Sequence, residues 1–340
     1  MDKIVSKTTQ NPLVSVVITT HNRCGLLKEA IESVREQIYP SWELIIVDDA
    51  SRDETISFLQ TVHDANITKI HLDKNIGSSR ARNVGLKRVR GKFVLFLDDD
   101  DLLPEDALAV HVKNLQKYRS VIASIGSRVR FHASGGRQLI RLIRKVTSRN
   151  IFWDVLFGWI AYTGQCFFST EILRNINGWA DEYTVGEGED QELLLRLSRQ
   201  GLILLIPDEV LLSRVHDGHL RRRDFQKLES QWMSWVRVRA VRQLSGKDYK
   251  RGSRYLEARN CFKLACRYYE EGDAGKAFLF YFRTLQLAPS IIYSPLIRRS
   301  VLSPMIKCLG QQTGLVRHKL VPSDRAIQEK SAISSVKYVD

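Results

Sequence analysis

The chain has 340 residues, enough for two ordinary domains, and 44% of them are hydrophobic, which fills a packed core and excludes a disordered or fibrous chain. Residues 1–110 hold 14 basic and 17 acidic side chains, net −3, so residues 111–340, at +17, more than account for the overall net charge of +14. An anion handled by the acidic part therefore needs a metal or backbone amides, whereas the basic remainder suits phosphates or an anionic membrane surface.

The first eleven residues are polar and lack the apolar run of a signal peptide, and no stretch reaches 18 uninterrupted apolar residues, so neither export by that route nor a membrane span is expected. Leu13–Thr20 is a β-branched run ending at His21-Asn22-Arg23, and Leu26, Leu27, Ala30, Ile31 and Val34 follow at helical spacing. Glu43–Val47 predicts a second strand, ending in Asp48-Asp49, and Glu54–Val62 a helix, with Ser51 or Asp53 placed to cap it. A short strand over Lys69–Leu72 and a helix over Arg80–Val89 precede Phe93–Leu97, which runs directly into Asp98, Asp99, Asp100 and Asp101. This alternation predicts an α/β fold, with a mainly parallel sheet covered on both faces and a ligand crevice beyond the carboxyl ends of the strands.

Arg128–Arg149 contains seven basic residues, no acid and a Gly135-Gly136 pair, and reads as an irregular connection. Ile151–Tyr162 is too short to span a bilayer and reads as a buried strand or an interfacial helix. Glu189–Gln200 predicts a helix and Leu202–Ile206 a strand. After Arg221-Arg222-Arg223 the periodicity is helical alone, over Phe225–Leu244, Tyr255–Glu271 and Ala274–Leu287. The expected organisation is a catalytic domain over 1–222, a helical appendage over 223–315 and a weakly structured tail over 316–340. Within the appendage, Ala258–Pro289 resembles one tetratricopeptide helix pair, which must dock on the catalytic domain or a partner because one repeat cannot bury both faces. The five cysteines are scattered, without paired zinc-ligand spacing, and are expected to be reduced thiols of a cytoplasmic protein.

Four consecutive aspartates at a strand end repel one another unless a cation or hydrogen bonds compensate, and hard carboxylate oxygens select magnesium or manganese. No G-x-G-x-x-G follows the first strand and no G-x-x-x-x-G-K-[ST] occurs, which argues against a dinucleotide oxidoreductase and a P-loop ATPase. A sugar nucleotidyltransferase would want a glycine-rich basic loop after the first strand, where the chain has THNRCG.

In this order, VVITTHNR (16–23), VDDASRDET (47–55), NIGSSRARNVGL (75–86), GKFVLFLDDDD (91–101), NGWADE (177–182) and GED (188–190) resemble the family 2 glycosyltransferases, over about residues 14–216. The resemblance implies the GT-A fold and inverting transfer from a nucleoside-diphosphate sugar to an acceptor hydroxyl, assisted by Mn2+ or Mg2+. It implies Asp190, paired with Glu189, as catalytic base. Thr19, His21, Arg23, Asp49, Arg82, Asp98 and Asp99 would bind the donor nucleotide, and Asp100, Asp98 and His216 the metal. Trp179 would stack on the acceptor sugar, and Arg80 would bridge the nucleotide or stabilise the fold. The processive Q-x-x-R-W signature is missing after Asp190, where the chain reads QELLLR, so single-sugar addition is expected. The expected acceptor is a saccharide or lipid-linked saccharide of a surface polymer, at an anionic inner membrane face. No nucleic-acid partner is expected, and self-association stays open. The non-enzymatic alternative is a scaffold protein on the same fold.

Overall fold

The computed structural model describes residues 11–132, 134–159, 161–181, 188–215 and 236–312. β1 (Val14–Thr20), α1 (Cys24–Arg35), β2 (Trp42–Asp48), α2 (Thr55–Thr61), β3 (Ile67–His71), α3 (Ser78–Arg88) and β4 (Phe93–Asp98) alternate in chain order. Their strands lie parallel in the spatial order β3-β2-β1-β4. In β1, β2 and β4 nearly every side chain is buried, which is why these strands read as unbroken apolar runs rather than alternating ones. The register pairs Thr20 with Asp48 and Thr19 with Asp98, so the polar ends of three strands converge on one edge.

α4 (Ala107–Lys117), β5 (Val121–His132), β6 (Arg137–Ile140), β7 (Thr147–Arg149), α5 (Phe152–Phe157), β8 (Cys166–Ser169), α6 (Thr170–Asn175), α7 (Glu189–Leu197) and β9 (Leu202–Val215) follow. β8 enters antiparallel between β4 and β5, and β9 runs parallel to β5, completing a nine-stranded mixed sheet. This is the GT-A arrangement expected from the sequence. Separate apolar cores cover the two sheet faces.

Of three local expectations, those for 128–149 and for the last strand are corrected, and the choice left open for 151–162 is decided in favour of a helix. Arg128–Arg149 is no irregular connection: β5 and β6 form a hairpin turned by Gly135 and Gly136, whose φ angles of 100° and 91° favour residues without a Cβ. Its Arg128 is buried because the guanidinium lies 3.7 Å from the centre of the Tyr162 ring, a contact that no local pattern encodes. Residues 151–162 contain a helix, α5, stopped by Gly158 at φ 119°. The last strand does not end at Ile206 but continues through Pro207 to Val215, with β5 shifting register opposite the proline. That extension pairs Leu212 with Leu102 and sets Arg214 beside the aspartate run.

α8 (Gly246–Glu270) starts nine residues before the predicted helix, and α9 (Ala274–Leu287) packs beside it after a turn in which the Asp273 carboxylate accepts the Lys276 amide at 2.9 Å. α10 (Arg298–Gln312) follows. The pair docks on the sheet domain: Phe157 meets Phe262 at 5.5 Å between ring centres, Trp153 meets Tyr255 at 5.0 Å, and Ser294 donates to the buried Asp154. The boundary expected near residue 222 and the tail beyond 315 lie outside the described residues. Among the described residues no helix is long and apolar enough to cross a membrane, and all five cysteines are free.

Candidate functional site at the carboxyl edge of the sheet

Two tight turns frame one side of the edge. After β1, Asn22 sits at φ 54°, its amide donating to Ser51 Oγ at 2.8 Å while its side-chain oxygen accepts from the Arg52 amide at 2.6 Å. After β2, Ala50 sits at φ 61°. The Ser51 hydroxyl is thus engaged with the neighbouring loop, and Asp53 serves both helix starts, accepting from Thr55 N at 3.0 Å and Cys24 N at 3.1 Å. His21 Nδ1 lies 2.7 Å from the Asp49 carbonyl oxygen, and Thr19 is partly exposed beside it at the end of β1. Asp49 is buried; its two carboxylate oxygens accept from the Ile76 and Gly77 amides at 2.8 and 2.9 Å and fix the entry to α3.

The four aspartates after β4 diverge. Asp99 turns inward, where Thr20 donates to it at 2.7 Å and Arg23 at 3.0 Å. Burial pushes Asp99 up to about 6 against these partners. Asp98, Asp100 and Asp101 turn together, with carboxylate oxygens all within 4.8 Å of one another. Asp101 accepts from the Arg214 amide at 2.9 Å. Burial, then the charges of Asp98 and Asp100, raise its pKa well above the carboxylate range. Three hard oxygen donors in one small space, repelling one another and only partly compensated by Arg23 and Arg82, fit a divalent cation held by Asp98, Asp100 and Asp101. His216 lies outside the described residues.

Arg82, on α3, ties this cluster to a second one. Its guanidinium donates to Asp98 Oδ1 at 2.8 Å, lies 3.7 Å from Glu189 Oε1, and sits 4.5 Å above the Trp179 ring. Burial alone would lower its pKa, but the charges of Asp98, Asp190 and Glu189 outweigh it and raise it. Arg82 Nη1 is buried without a hydrogen-bond partner among the described residues. Arg80, by contrast, reaches away to the Asp181 carbonyl at 3.1 Å.

Glu189 and Asp190 open α7 behind Gly188, which takes φ 90°. Thr163, a buried residue 27 positions upstream, donates its hydroxyl to Asp190 Oδ1 at 2.5 Å. Burial and then the Glu189 charge push Asp190 up to about 7, opposed by Arg82 and Thr163. A carboxylate so tuned accepts a proton near neutral pH.

Trp179 is corrected. Its ring is 2% exposed, edge-on to Phe96 at 5.4 Å and covered by Arg82, so it has no free face for a sugar. Asn83 holds the turn before it, accepting from the Trp179 amide at 2.9 Å and donating to the Trp179 carbonyl at 2.8 Å. Thr20, Asp101, Thr163 and Arg214 were not singled out from sequence as site residues. Thr20, Asp101 and Arg214 had a signal, in their places between Thr19 and His21, after Asp100 and two residues before His216, and Thr163 had none.

Residues 15–176 match the glycosyl transferase family 2 model. Over 103 residues the chain is 41% identical to the Bacillus subtilis "Putative teichuronic acid biosynthesis glycosyltransferase TuaG", covering 30% of this chain and 41% of that protein. Over 176 residues it is 32% identical to the Escherichia coli "Putative colanic acid biosynthesis glycosyl transferase WcaA", covering 48% and 62%. The chain thus spans about two fifths to three fifths of these relatives' lengths. In fold it is similar to Staphylococcus aureus TarS 1–349 in complex with UDP-GlcNAc (TM-score 0.60, 17% identity, 92% of this chain and 95% of that one). It is likewise similar to the Pyrobaculum calidifontis mannosyltransferase PcManGT in complex with GDP-Man and Mn2+ (TM-score 0.57, 21% identity, 96% and 86%).

Proposed function

Because residues 15–176 of this chain belong to glycosyl transferase family 2, we propose that it transfers one sugar, with inversion, from a nucleoside-diphosphate sugar to an acceptor hydroxyl. The observation that carries the reading is the pairing of Asp190, raised toward neutrality, with an oxygen-rich cluster at the end of β4 through the buried guanidinium of Arg82.

In this reading the nucleoside lies over Thr19, His21, Arg23 and Asp49. The Asp49 carboxylate offers about four lone-pair sites, two of them taken by Ile76 and Gly77, so an N–H of a base still finds an acceptor there. Asp98, Asp100 and Asp101 would hold Mn2+ or Mg2+, and the chemistry such an ion would supply is neutralisation of charge on the departing diphosphate. Asp99 positions Thr20 and Arg23 instead of meeting the ligand. Asp190 takes the proton of the attacking acceptor hydroxyl; Thr163 fixes the rotamer of its carboxylate, and Glu189 keeps its affinity for a proton high. Arg82 balances Asp98 against the α7 pair, so that both carboxylate groups stand in one crevice.

The acceptor proposed is a saccharide or lipid-linked saccharide of a surface polysaccharide or glycolipid, in keeping with the biosynthetic roles for which the two bacterial relatives are named. The same proposal sets the protein in the cytoplasm, at the inner face of the cell membrane. The test is calorimetric titration of UDP, GDP, dTDP and CDP, with and without Mn2+. Binding of one nucleotide, strengthened at least about tenfold by the metal, is expected; binding of none would remove the donor site and the proposal with it.

A further inference from the structure

Residues 236–312 contain 15 basic and 5 acidic side chains, a net +10 within 77 residues. Much of this charge is locally balanced on α8 and α9: Arg267 pairs with Glu271, Lys276 with Asp273 and Arg283 with Glu257. The first turns of α8 differ. Lys247, Lys250, Arg251 and Arg254 recur at i, i+3, i+4 and i+7, which puts them on one face of the helix, and all four are exposed. Arg251 rests on the Trp153 ring at 4.1 Å, whereas Lys247, Lys250 and Arg254 carry no ion pair among the described residues. Asp248 is the one acid within the segment.

Exposed aromatic surface accompanies the charge. Tyr293 is 80% exposed at the end of the 289–293 turn, whereas Tyr249, 48% exposed, lies two residues after Lys247 and so on another side of the helix. That turn is tied to the same end of α8 by a 2.5 Å hydrogen bond between Tyr255 Oη and Ser290 Oγ. Unpaired cations near the upstanding Tyr293 match a lipid–water interface, where phosphate headgroups meet the cations and a tyrosine ring sits at headgroup depth. A second copy of the chain is a poor occupant, because a symmetric contact would set these cations against one another.

We propose that the first turns of α8, together with the 289–293 turn, form the face by which this protein docks peripherally on an anionic bilayer. The inference deepens the transferase reading by naming the surface that meets the acceptor's membrane. Its test needs neither donor nor acceptor, so the two stand or fall separately.

The full chain is mixed with vesicles of phosphatidylcholine, alone or with about one third phosphatidylglycerol, and sedimented at several salt concentrations. The unaltered protein is expected to pellet with the anionic vesicles only and to be released above about 0.5 M salt. K247A/K250A/R254A, which changes only solvent-facing side chains, is expected to lower the partition coefficient about 100-fold, near fivefold per cation, with an unchanged circular dichroism spectrum. Failure to bind, equal binding to neutral vesicles or an unchanged partition in the variant would overturn the proposal. So would a salt-resistant dimer that the triple variant dissociates, since that would give the face to a second copy.

Discussion

Asp48 and Asp49 end β2; Asp98 to Asp101 end β4, on the other side of β1, and face Glu189 and Asp190 across Arg82. On the β2 side the carboxylates hold the scaffold first, and Asp49 keeps lone pairs for a base besides. Asp48 accepts from Ser51 N at 3.1 Å and meets His71 Nδ1 at 2.7 Å, and Asp49 accepts two backbone amides. On the Arg82 side the partners are mostly other charges, and burial pushes Asp99, Asp101 and Asp190 upward. Acid at a strand end is thus no uniform sign of a binding site. Backbone amides take part of a carboxylate's lone pairs and lock a loop, leaving it at most an acceptor for a neutral N–H, whereas mutually repelling carboxylates around one buried guanidinium keep charge available for a cation.

The harshest trial of that contrast is Asp190→Asn. The amide keeps the shape and can still accept the Thr163 hydroxyl, but it cannot take a proton. Transfer is expected to fall by about 10²–10⁴ in kcat, the usual worth of a general base, while calorimetric donor binding stays within about twofold. Full activity in this variant would return Asp190 to a helix-opening role and leave the comparison without its catalytic half.

Asp100→Ala and Asp49→Ala should then separate along different readouts. Asp100 pairs with the exposed Arg23 at 3.0 Å, so its loss is expected to change stability by less than about 1 kcal/mol while removing the Mn2+-dependent gain in nucleotide binding. Asp49→Ala leaves the Ile76 and Gly77 amides without an acceptor and is expected to cost about 3 kcal/mol in denaturant unfolding, with faster hydrogen exchange at both amides. If the two variants behave alike, the division between scaffold and site acids is wrong.

Much of this arrangement was legible in the sequence where local pattern and tertiary role coincide. β1, β2 and β4 are buried on both faces and so appear as apolar runs, and the polar residues that end them fall in the crevice because the strands are parallel and in register. The unread parts depend on contacts between distant segments. Trp179 looks like a free ring until Phe96 and Arg82 close on it. Arg128 looks solvated until Tyr162 covers it, and Thr163 shares no motif with the Asp190 it orients. The split of the aspartate run, with Asp99 inward and Asp101 beside Asp98 and Asp100, follows from a turn whose geometry is set by the pairing of Leu102 with Leu212, 110 residues on.

The smallest effect expected is a stability change with pH, and its sign discriminates between the two kinds of acid. Asp99 titrates at about 6 and Asp190 at about 7 in the folded chain, above the ordinary 3.8, and Asp101 is raised as well. Between their unfolded and folded values these groups bind more protons folded than unfolded, so stability rises as pH falls from about 7 toward 4. Glu43, lowered by Ser15 and Arg90 despite its burial, acts oppositely, and its contribution is lost only as pH drops below the ordinary carboxylate range. In metal-free buffer the melting temperature should therefore climb by a few degrees from pH 7.5 to about 5 before acid unfolding sets in. Asp99→Asn, which mimics the protonated form at every pH, should flatten part of that climb. A melting temperature that falls steadily from pH 7.5 downward would mean that the β4 and α7 acids are not held above the ordinary carboxylate range.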